Sequence, residues 1–505
     1  MRTYLSRLPL FVVLMGLGAL AMMAPALVAT ALDDHLTGRV FFYASLLFLI
    51  LTILIGFACQ TLLPVTSPRA HLAGLLVAYI ALPVMLAFPL AEAVGNTRYI
   101  NAYLDMISAL TTTGASLFDP DRLAPGVHLW RGLVGWLGGF LIWVTAVAVL
   151  APLNLGGYEV TSEARVSGRV MVSTGQMQAA TPAERIRRHA TRLAPIYMIL
   201  TFILWLGLIL SGEAPLAGLI HAMSTLSTSG ISPLGGIEGG GGGFAGEVVI
   251  FLFFLFALSR RTFTSGCSME TPRYLARDRE IRLAVLAVVG LSVLLFSRHW
   301  LGVLEGGETA SPQGAPAALW GSVFTVLSFL TTTGFVSDSW ADAHAWSGLP
   351  TPGLLLMGLV LTGGGVATTA GGIKLLRVYA LYKHGTREMG RLIHPNSVAG
   401  AGRLGRRIRR EGAYIAWIFF MLFILAMAVV MVALALTGLS FQSSLVLAIS
   451  ALTTTGPLAE MVAETPISYI RLTDTAKLIL AGAMIVGRLE TLVLLALINP
   501  GYWRA

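Results

Sequence analysis

One seven-residue pattern occurs four times in this chain, and its recurrence constrains the fold more than any other feature. The copies are Ser108-Ala109-Leu110-Thr111-Thr112-Thr113-Gly114, Ser224-Thr225-Leu226-Ser227-Thr228-Ser229-Gly230, Ser328-Phe329-Leu330-Thr331-Thr332-Thr333-Gly334 and Ser450-Ala451-Leu452-Thr453-Thr454-Thr455-Gly456. All four fit S-x-L-[S/T]-T-[S/T]-G, with glycines roughly 100–120 residues apart. Self-similarity at a fixed period marks one supersecondary unit used repeatedly. A single copy reads as a polar turn, whereas four copies at matching positions call for a shared task.

The setting of the repeat is apolar. Of 505 residues, 56% are hydrophobic and only 12% charged, against about 25% charged in soluble domains. The composition therefore points to lipid. Two cysteines, Cys59 and Cys267, make no disulfide framework. The net charge of +9 comes largely from arginines in short tracts between apolar spans, where membrane orientation explains them better than nucleic acid.

Leu8–Leu32 has transmembrane length and is followed at once by Phe41–Leu63, so the two are expected to form a retained hairpin rather than a signal peptide. From there the chain repeats one plan of outer helix, short apolar segment ending in the threonine motif, and return helix. The expected sets are His71–Val94, Asn101–Leu110 and Val127–Leu153; Ala194–Leu210, Pro215–Leu226 and Val248–Leu258; Leu283–Phe296, Pro316–Leu330 and Gly353–Tyr382; and Ile415–Leu436, Phe441–Leu452 and Ala476–Ile498. Segments of roughly 10–15 residues cannot cross a hydrocarbon core of about 30 Å, so each enters and leaves on one side. The expected fold is an all-α integral membrane protein with ten spans and four re-entrant segments. Its parts are an N-terminal hairpin (1–68) and pore repeats at 69–162, 163–268, 269–400 and 401–505.

The basic tracts Ser162–Arg192, Ser259–Arg282 and Lys374–Arg410 all fall between repeats. The positive-inside rule makes them cytoplasmic, and counting spans from a cytoplasmic N terminus agrees. Both termini are then inside, and the motifs approach from outside. Neighbouring units share one orientation, which suits an axis along the membrane normal rather than inverted repeats.

Around such an axis the motif has a clear use. Non-helical backbone at membrane depth is tolerated only inside protein or beside water. Extended loops through Thr112, Thr113 and Gly114, Thr228, Ser229 and Gly230, Thr332, Thr333 and Gly334, and Thr454, Thr455 and Gly456 offer rings of carbonyl and hydroxyl oxygens. Such rings replace an ion's hydration shell. The short helices add the negative ends of their dipoles, and neutral oxygens suit a monovalent alkali cation. The second copy, with Ser227 and Ser229 and the continuation Ile231-Ser232-Pro233, is expected to be the least symmetric.

Two further elements stand out. The third return helix carries Gly363, Gly364, Gly365, Gly371 and Gly372, with Thr368 and Thr369 between them and Lys374 after them. Five glycines should break a helix, although close helix packing through small residues is an alternative. Arg488 stands in the last apolar helix, where an ionised side chain is a functional candidate; the alternative is an interfacial or ion-pair role. Glu490 is an unsuitable direct partner for it because i and i+2 face apart. Asp338 is either a cation-concentrating charge at the mouth or a solvated loop charge. Gly239–Gly243 reads as a flexible external loop.

From His71 onward the chain resembles the Trk/Ktr/HKT superfamily of potassium transporters, in its bacterial TrkH-type branch. Besides the four motifs, Gly371-Gly372-Ile373-Lys374 with Arg377, Ile393-His394-Pro395-Asn396 and Gly487-Arg488-Leu489-Glu490 match. The N-terminal hairpin is also a feature of that branch. The resemblance implies a pseudo-fourfold pore, with potassium bound only at the filter residues above. It implies that the four filter glycines, Gly114 among them, go with potassium rather than sodium. It makes the Gly363–Lys374 stretch an intramembrane gating loop and Arg488 its companion. At Ala367-Thr368-Thr369-Ala370-Gly371-Gly372 this chain departs from the Gly-Ser-Thr-Gly-Gly-Gly run more usual in the family. A homodimer with a cytosolic nucleotide-binding regulatory subunit, in a bacterial inner membrane, is implied as well.

No enzyme motif is visible. H-E-x-x-H and G-x-S-x-G are absent, and Lys374 does not follow the P-loop spacing. No bound cofactor is expected, and potassium is the transported ion. The alternatives are a sodium-permeable or sodium-coupled member of the same fold, and a non-conducting membrane receptor or scaffold.

Overall fold

Apolar runs longer than about 20 residues fold as long helices, because lipid offers the backbone no other hydrogen-bond partner. The structure, a computed structural model, describes residues 9–59, 68–151, 157, 182–259, 278–306, 314–349, 351–393, 410–462 and 466–490, and among these it contains helices and no strand. His394, Pro395 and Asn396, Cys267, much of the basic tracts and the last helix beyond Glu490 lie outside the described residues.

Helices α1 (Leu10–Ala21) and α2 (Met23–Ala31) run in series through Met22 and form the first span. α3 (His35–Ala58) returns from it. Asp34 caps α3, its carboxylate accepting the Thr37 N–H at 3.1 Å. The hairpin leans on the first repeat through an edge-on contact of Phe41 with Trp130, 5.7 Å between centroids.

The first repeat is α4 (Pro68–Val94), α5 (Tyr99–Leu110) and α6 (Pro125–Thr145). The last turns of α6 continue as a π-helix over Ala146–Leu150. The second is α7 (Pro182–Leu210), α8 (Pro215–Ser227) and α9 (Gly243–Leu258). The third is α10 (Arg279–Gly306), α11 (Ala315–Leu330), a short α12 (Trp340–Ser347), then α13 (Gly353–Thr362) and α14 (Leu375–Ile393). The fourth is α15 (Arg410–Ala435), α16 (Phe441–Leu452), a short α17 (Leu458–Val462) and α18 (Asp474–Leu489). The short helices α5, α8, α11 and α16 have 12 to 16 residues, about 18–24 Å at 1.5 Å per residue. They are buried and stop inside the bundle.

Burial separates an inner from an outer layer. The central window of α6 and its π-helical end is 72% buried, whereas those of α3 and α15 are 22% and 17% buried. The outer helices present Leu47, Ile53 and Phe57 of α3 and Leu425, Val429 and Val432 of α15 outward. An apolar exterior around a polar, threonine-rich centre is the arrangement a bilayer requires.

Seven described helices are long and apolar enough to cross a membrane, against ten expected spans. The other three are the 16-residue α9, the last span, described as α18 only to Leu489, and the third return helix. That helix stops at Thr362 and resumes at Leu375, so the glycine run interrupts it. Helices α12 and α17 have no counterpart in the sequence pattern, being too short to show a period.

Candidate ion pathway

Each threonine motif ends its short helix in the same way. The N–H groups of Thr113, Ser229, Thr333 and Thr455 donate to the carbonyls of Ser108, Ser224, Ser328 and Ser450 at 2.8–3.0 Å. Those of Thr112, Thr228, Thr332 and Thr454 donate to carbonyls three residues back at 2.9–3.3 Å. This is the Schellman cap, which needs one left-handed residue, usually glycine. Here the left-handed residue is the middle threonine, with φ of 54° at Thr112, 53° at Thr228, 58° at Thr332 and 54° at Thr454. A left-handed L-residue costs about 1–2 kcal/mol, so four threonines are held against their preference. Their hydroxyls are placed at the ends of the four helices.

Past the caps, the glycines bring the loops together. A Cβ on Gly114 would overlap the Ser229 carbonyl oxygen, and one on Gly230 would overlap that of Thr333. One on Gly334 would crowd Pro457, and one on Gly456 would overlap Ala115. The loops therefore touch in the order one, two, three, four and back to one. The Gly456 N–H closes the ring on the Thr113 carbonyl.

The fourth loop, rather than the second, breaks the symmetry at its glycine. Gly114, Gly230 and Gly334 have φ of 72°, 66° and 81°, while Gly456 is not among the positive-φ residues. Pro457 follows it and pushes the preceding residue toward extended backbone. The Thr455 carbonyl accepts from the Ser450 hydroxyl at 2.9 Å, and the Gly456 carbonyl accepts from Tyr469 at 3.0 Å. The corresponding carbonyls of Thr113, Ser229 and Thr333 instead face a neighbouring loop.

The interrupted helix lies directly against this ring. Its arms pair with each other, Ile373 N–H to Leu361 O at 3.0 Å and Lys374 N–H to Thr362 O at 2.9 Å. Gly363 and Gly372 allow the arms to cross, with φ of 68° and 76°. Gly371 N–H donates to the Thr332 hydroxyl at 2.7 Å, and the Thr369 hydroxyl donates to Leu226 O at 3.2 Å. A Cβ on Gly371 would overlap Thr453 O. Thr368 turns back to Gly365 O at 2.8 Å. Gly364 and Gly365 pack on the end of α9, the Gly365 N–H reaching Ala257 O at 3.1 Å. Ala367 has φ of 57°, and it stands where the resembled family more often has glycine. Here too a left-handed geometry is kept without the residue that adopts it freely.

Arg488 is buried against the same stretch, its Nη1 donating to Thr369 O at 2.6 Å. Its Nε and Nη2 have no hydrogen-bond partner among the described residues. The preceding Gly487 abuts Leu452 O at the end of α16. Lys374 bonds Ala370 O. Glu490 pairs with Arg377 at 2.8 Å, not with Arg488, and the Arg377 guanidinium also lies 3.7 Å from the Phe419 ring centroid. Arg488, Lys374 and Glu490 share one cavity with Ile142 and Gly371.

Behind the ring, the residue nine positions before the glycine ties the loop's exit in three of the four repeats. The residues at this position are Asp105, His221, Thr325 and Leu447. Asp105 forms a buried pair with Arg131 at 2.8 Å and accepts the Leu117 N–H at 3.5 Å; Arg131 also holds the Ser116 hydroxyl at 2.9 Å. His221 bridges Glu213 and Ser232, the latter at 2.8 Å. Thr325 accepts the Ser337 N–H at 3.3 Å. Leu447 has no polar group, and the Tyr469 bonds stand in for it. Asp105, Arg131, Glu247 and Lys477 are all buried in helices. The rule that singles out Arg488, an ionised group in an apolar helix, applies equally to them.

The Gly239–Gly243 run packs closely on its neighbours, since a Cβ on Gly241 would stand 2.9 Å from Gly212 O and one on Gly240 2.8 Å from Glu213 Oε1. Close approach accounts for Gly240 and Gly241, whereas Gly239 and Gly243 meet open space and have φ of 73° and 48°. Asp338 is exposed and its N–H donates to Glu247 at 2.7 Å.

Four helix–loop–helix units closing one ring of backbone loops, above an interrupted helix, define a pore-type multi-pass membrane protein. The comparisons then place it. Residues 248–500 match the TrkH family of cation transport proteins. The Trk system potassium uptake protein TrkH of Vibrio parahaemolyticus is 31% identical over 416 residues, 81% of either chain. That of Escherichia coli is 30% identical over 420 residues, 81% of this chain and 80% of its own. The crystal structure of the potassium transporter TrkH from Vibrio parahaemolyticus superposes with a TM-score of 0.80 at 26% identity, covering all of both chains. This chain belongs to the TrkH family.

Proposed function

We propose that this chain is the pore-forming subunit of a potassium uptake system, and that potassium passes through the ring made by the four threonine loops. The observation that carries the reading is the closure of that ring, with four short helices ending on it. Thr112, Thr113 and Gly114 and their counterparts Thr228, Ser229, Gly230, Thr332, Thr333, Gly334, Thr454, Thr455 and Gly456 supply the oxygen ligands. Neutral carbonyls and hydroxyls, backed by helix C-termini, dehydrate a monovalent cation without trapping it.

The loop with Gly363, Gly364, Gly365, Thr368, Thr369, Gly371, Gly372 and Lys374 is the gate. Its bonds to Thr332 and Leu226, next to the ring, support this role. Arg488 holds it at Thr369 and sets a positive charge beside the path. A cation reaching that cavity meets an unscreened guanidinium until the loop moves. The repeat boundaries, the external approach of the loops and the cytoplasmic termini follow the distribution of arginine. A homodimer and a cytosolic nucleotide-binding regulator complete the system, by analogy with the Trk relatives. No bound cofactor and no catalytic role are assigned.

Two measurements test this. Expression in a host lacking potassium uptake is expected to restore growth at low potassium, and purified protein in liposomes is expected to carry rubidium in preference to sodium. Failure of both removes the conducting reading; sodium flux equal to rubidium flux removes the potassium assignment.

A further inference from the structure

Helix α9 belongs by sequence to the second repeat, yet both of its ends hold the third. Near its start, the buried Glu247 carboxylate takes three donors from repeat three. Trp320 Nε1–H and the Ser337 hydroxyl reach Oε2 at 2.5 and 2.8 Å, and the Asp338 N–H reaches Oε1 at 2.7 Å. Ser337 and Asp338 are the third and fourth residues after Gly334, so this carboxylate pins the exit of the third loop. A buried carboxylate with three donors is satisfied and fixed in place.

At its other end α9 has no cap of its own. A helix leaves its last carbonyls without partners, and here the gate takes one of them: Gly365 N–H donates to Ala257 O. Gly364 and Gly365 lie so close that a Cβ on Gly365 would overlap Leu258 O. The anchors Glu247 and Ala257 lie ten residues apart in this 16-residue helix, about 15 Å at 1.5 Å per residue. Its inward side is packed, with Ile250, Phe254 and Ala257 buried.

We propose that α9 is a strut coupling the third filter loop to the gating loop, with Glu247 as the positioning residue at its filter end. The proposal rests on the reading of the ring as the potassium path. A shift at Ser337 and Asp338 moves Glu247, and a rigid helix delivers that displacement to Gly365. In reverse, opening the gate releases Ala257 and loosens the third loop.

The test uses Glu247→Gln, which keeps shape but weakens the acceptors, and Trp320→Phe, which removes one donor and retains the ring packing. Two readouts are taken on the folded full-length protein in liposomes. The first is the rubidium-to-sodium flux ratio. The second is independent of transport: the rate at which a thiol reagent labels Thr368→Cys in a background without Cys59 and Cys267. Glu247→Gln is expected to lower the flux ratio about tenfold, the scale of a lost charged hydrogen bond. It is expected to change the labelling rate about fivefold, the lower range of energetic coupling between sites. Trp320→Phe is expected to move both in the same direction by less. A changed ratio with unchanged labelling overturns the coupling, and no change in either overturns the role of Glu247 altogether. If the unsubstituted protein itself carries no rubidium, the potassium reading fails instead, and that outcome is separate.

Discussion

Gly114 stands where a left-handed backbone and a close approach coincide. Its φ is 72°, and a Cβ there would overlap the Ser229 carbonyl oxygen. Alanine therefore meets both backbone strain of about 1–2 kcal/mol and a clash that moves the Ser229 carbonyl. Gly114→Ala is expected to lower rubidium flux at least tenfold and to bring the rubidium-to-sodium ratio toward unity, read in liposomes with protein of unchanged oligomeric size. Unchanged selectivity would detach Gly114 from the filter. The position of this glycine is legible in the sequence, because the motif repeats four times. The threonine before its neighbour is not. Nothing in the letters Thr111-Thr112-Thr113 shows that Thr112 takes the conformation glycine normally supplies, since tertiary packing overrides the local preference there. The same holds for Ala367.

At the scale of elements, the interrupted helix is the clearest match between pattern and structure. Five glycines in one apolar stretch announce a break, and the break runs from Gly363 to Lys374. What the stretch rests on is less visible, since the Gly371 bond to Thr332 and the Arg488 bond to Thr369 join residues far apart in sequence. Glu247 was hidden differently, as one charge at the edge of an apolar run. Two substitutions probe the latch. Thr332→Ala removes the acceptor for the Gly371 N–H, and Arg488→Ala removes both the bond to Thr369 and the positive charge. Each is expected to raise rubidium flux in the absence of any regulatory partner, Arg488→Ala by more, because it also lowers the electrostatic barrier. Flux and gating unchanged from the parent protein in both variants would end the assignment of this loop as a gate.

The whole molecule closes on itself at a seam between its fourth and first repeats. Lys477 donates to Asn101 at 2.8 Å, and Arg98 pairs with Asp474 at 3.0 Å, each across 376 residues of chain. In the loops after the second and third motifs, desolvation raises the Glu238 carboxyl above its ordinary value, and Asp338 and Glu247 push it further. Desolvation also raises Asp338. Both then take up protons at a higher pH than free carboxylates do. As external pH falls from neutral toward the carboxylate range, these loops lose negative charge and attract cations less. The potassium concentration for half-maximal uptake is expected to rise over that interval, and Asp338→Asn with Glu238→Gln to flatten the dependence. A group whose pKa is raised on folding adds stability as pH drops through its folded value, so unfolding is not the cause at these two sites. An equally steep profile in the double variant would assign the effect elsewhere.

The anchors of α9 carry a consequence for how the protein is made. Glu247 is synthesised 73 residues before Trp320 and 90 before Ser337. At about 5–20 residues per second, α9 waits on the order of 5–18 s for the groups that satisfy its carboxylate. During that interval a helix of repeat two carries an unpaired acid, and an ionised side chain in lipid is costly. Assembly is thus ordered in time: the second repeat cannot settle as a finished unit, and it stays open to receive the third.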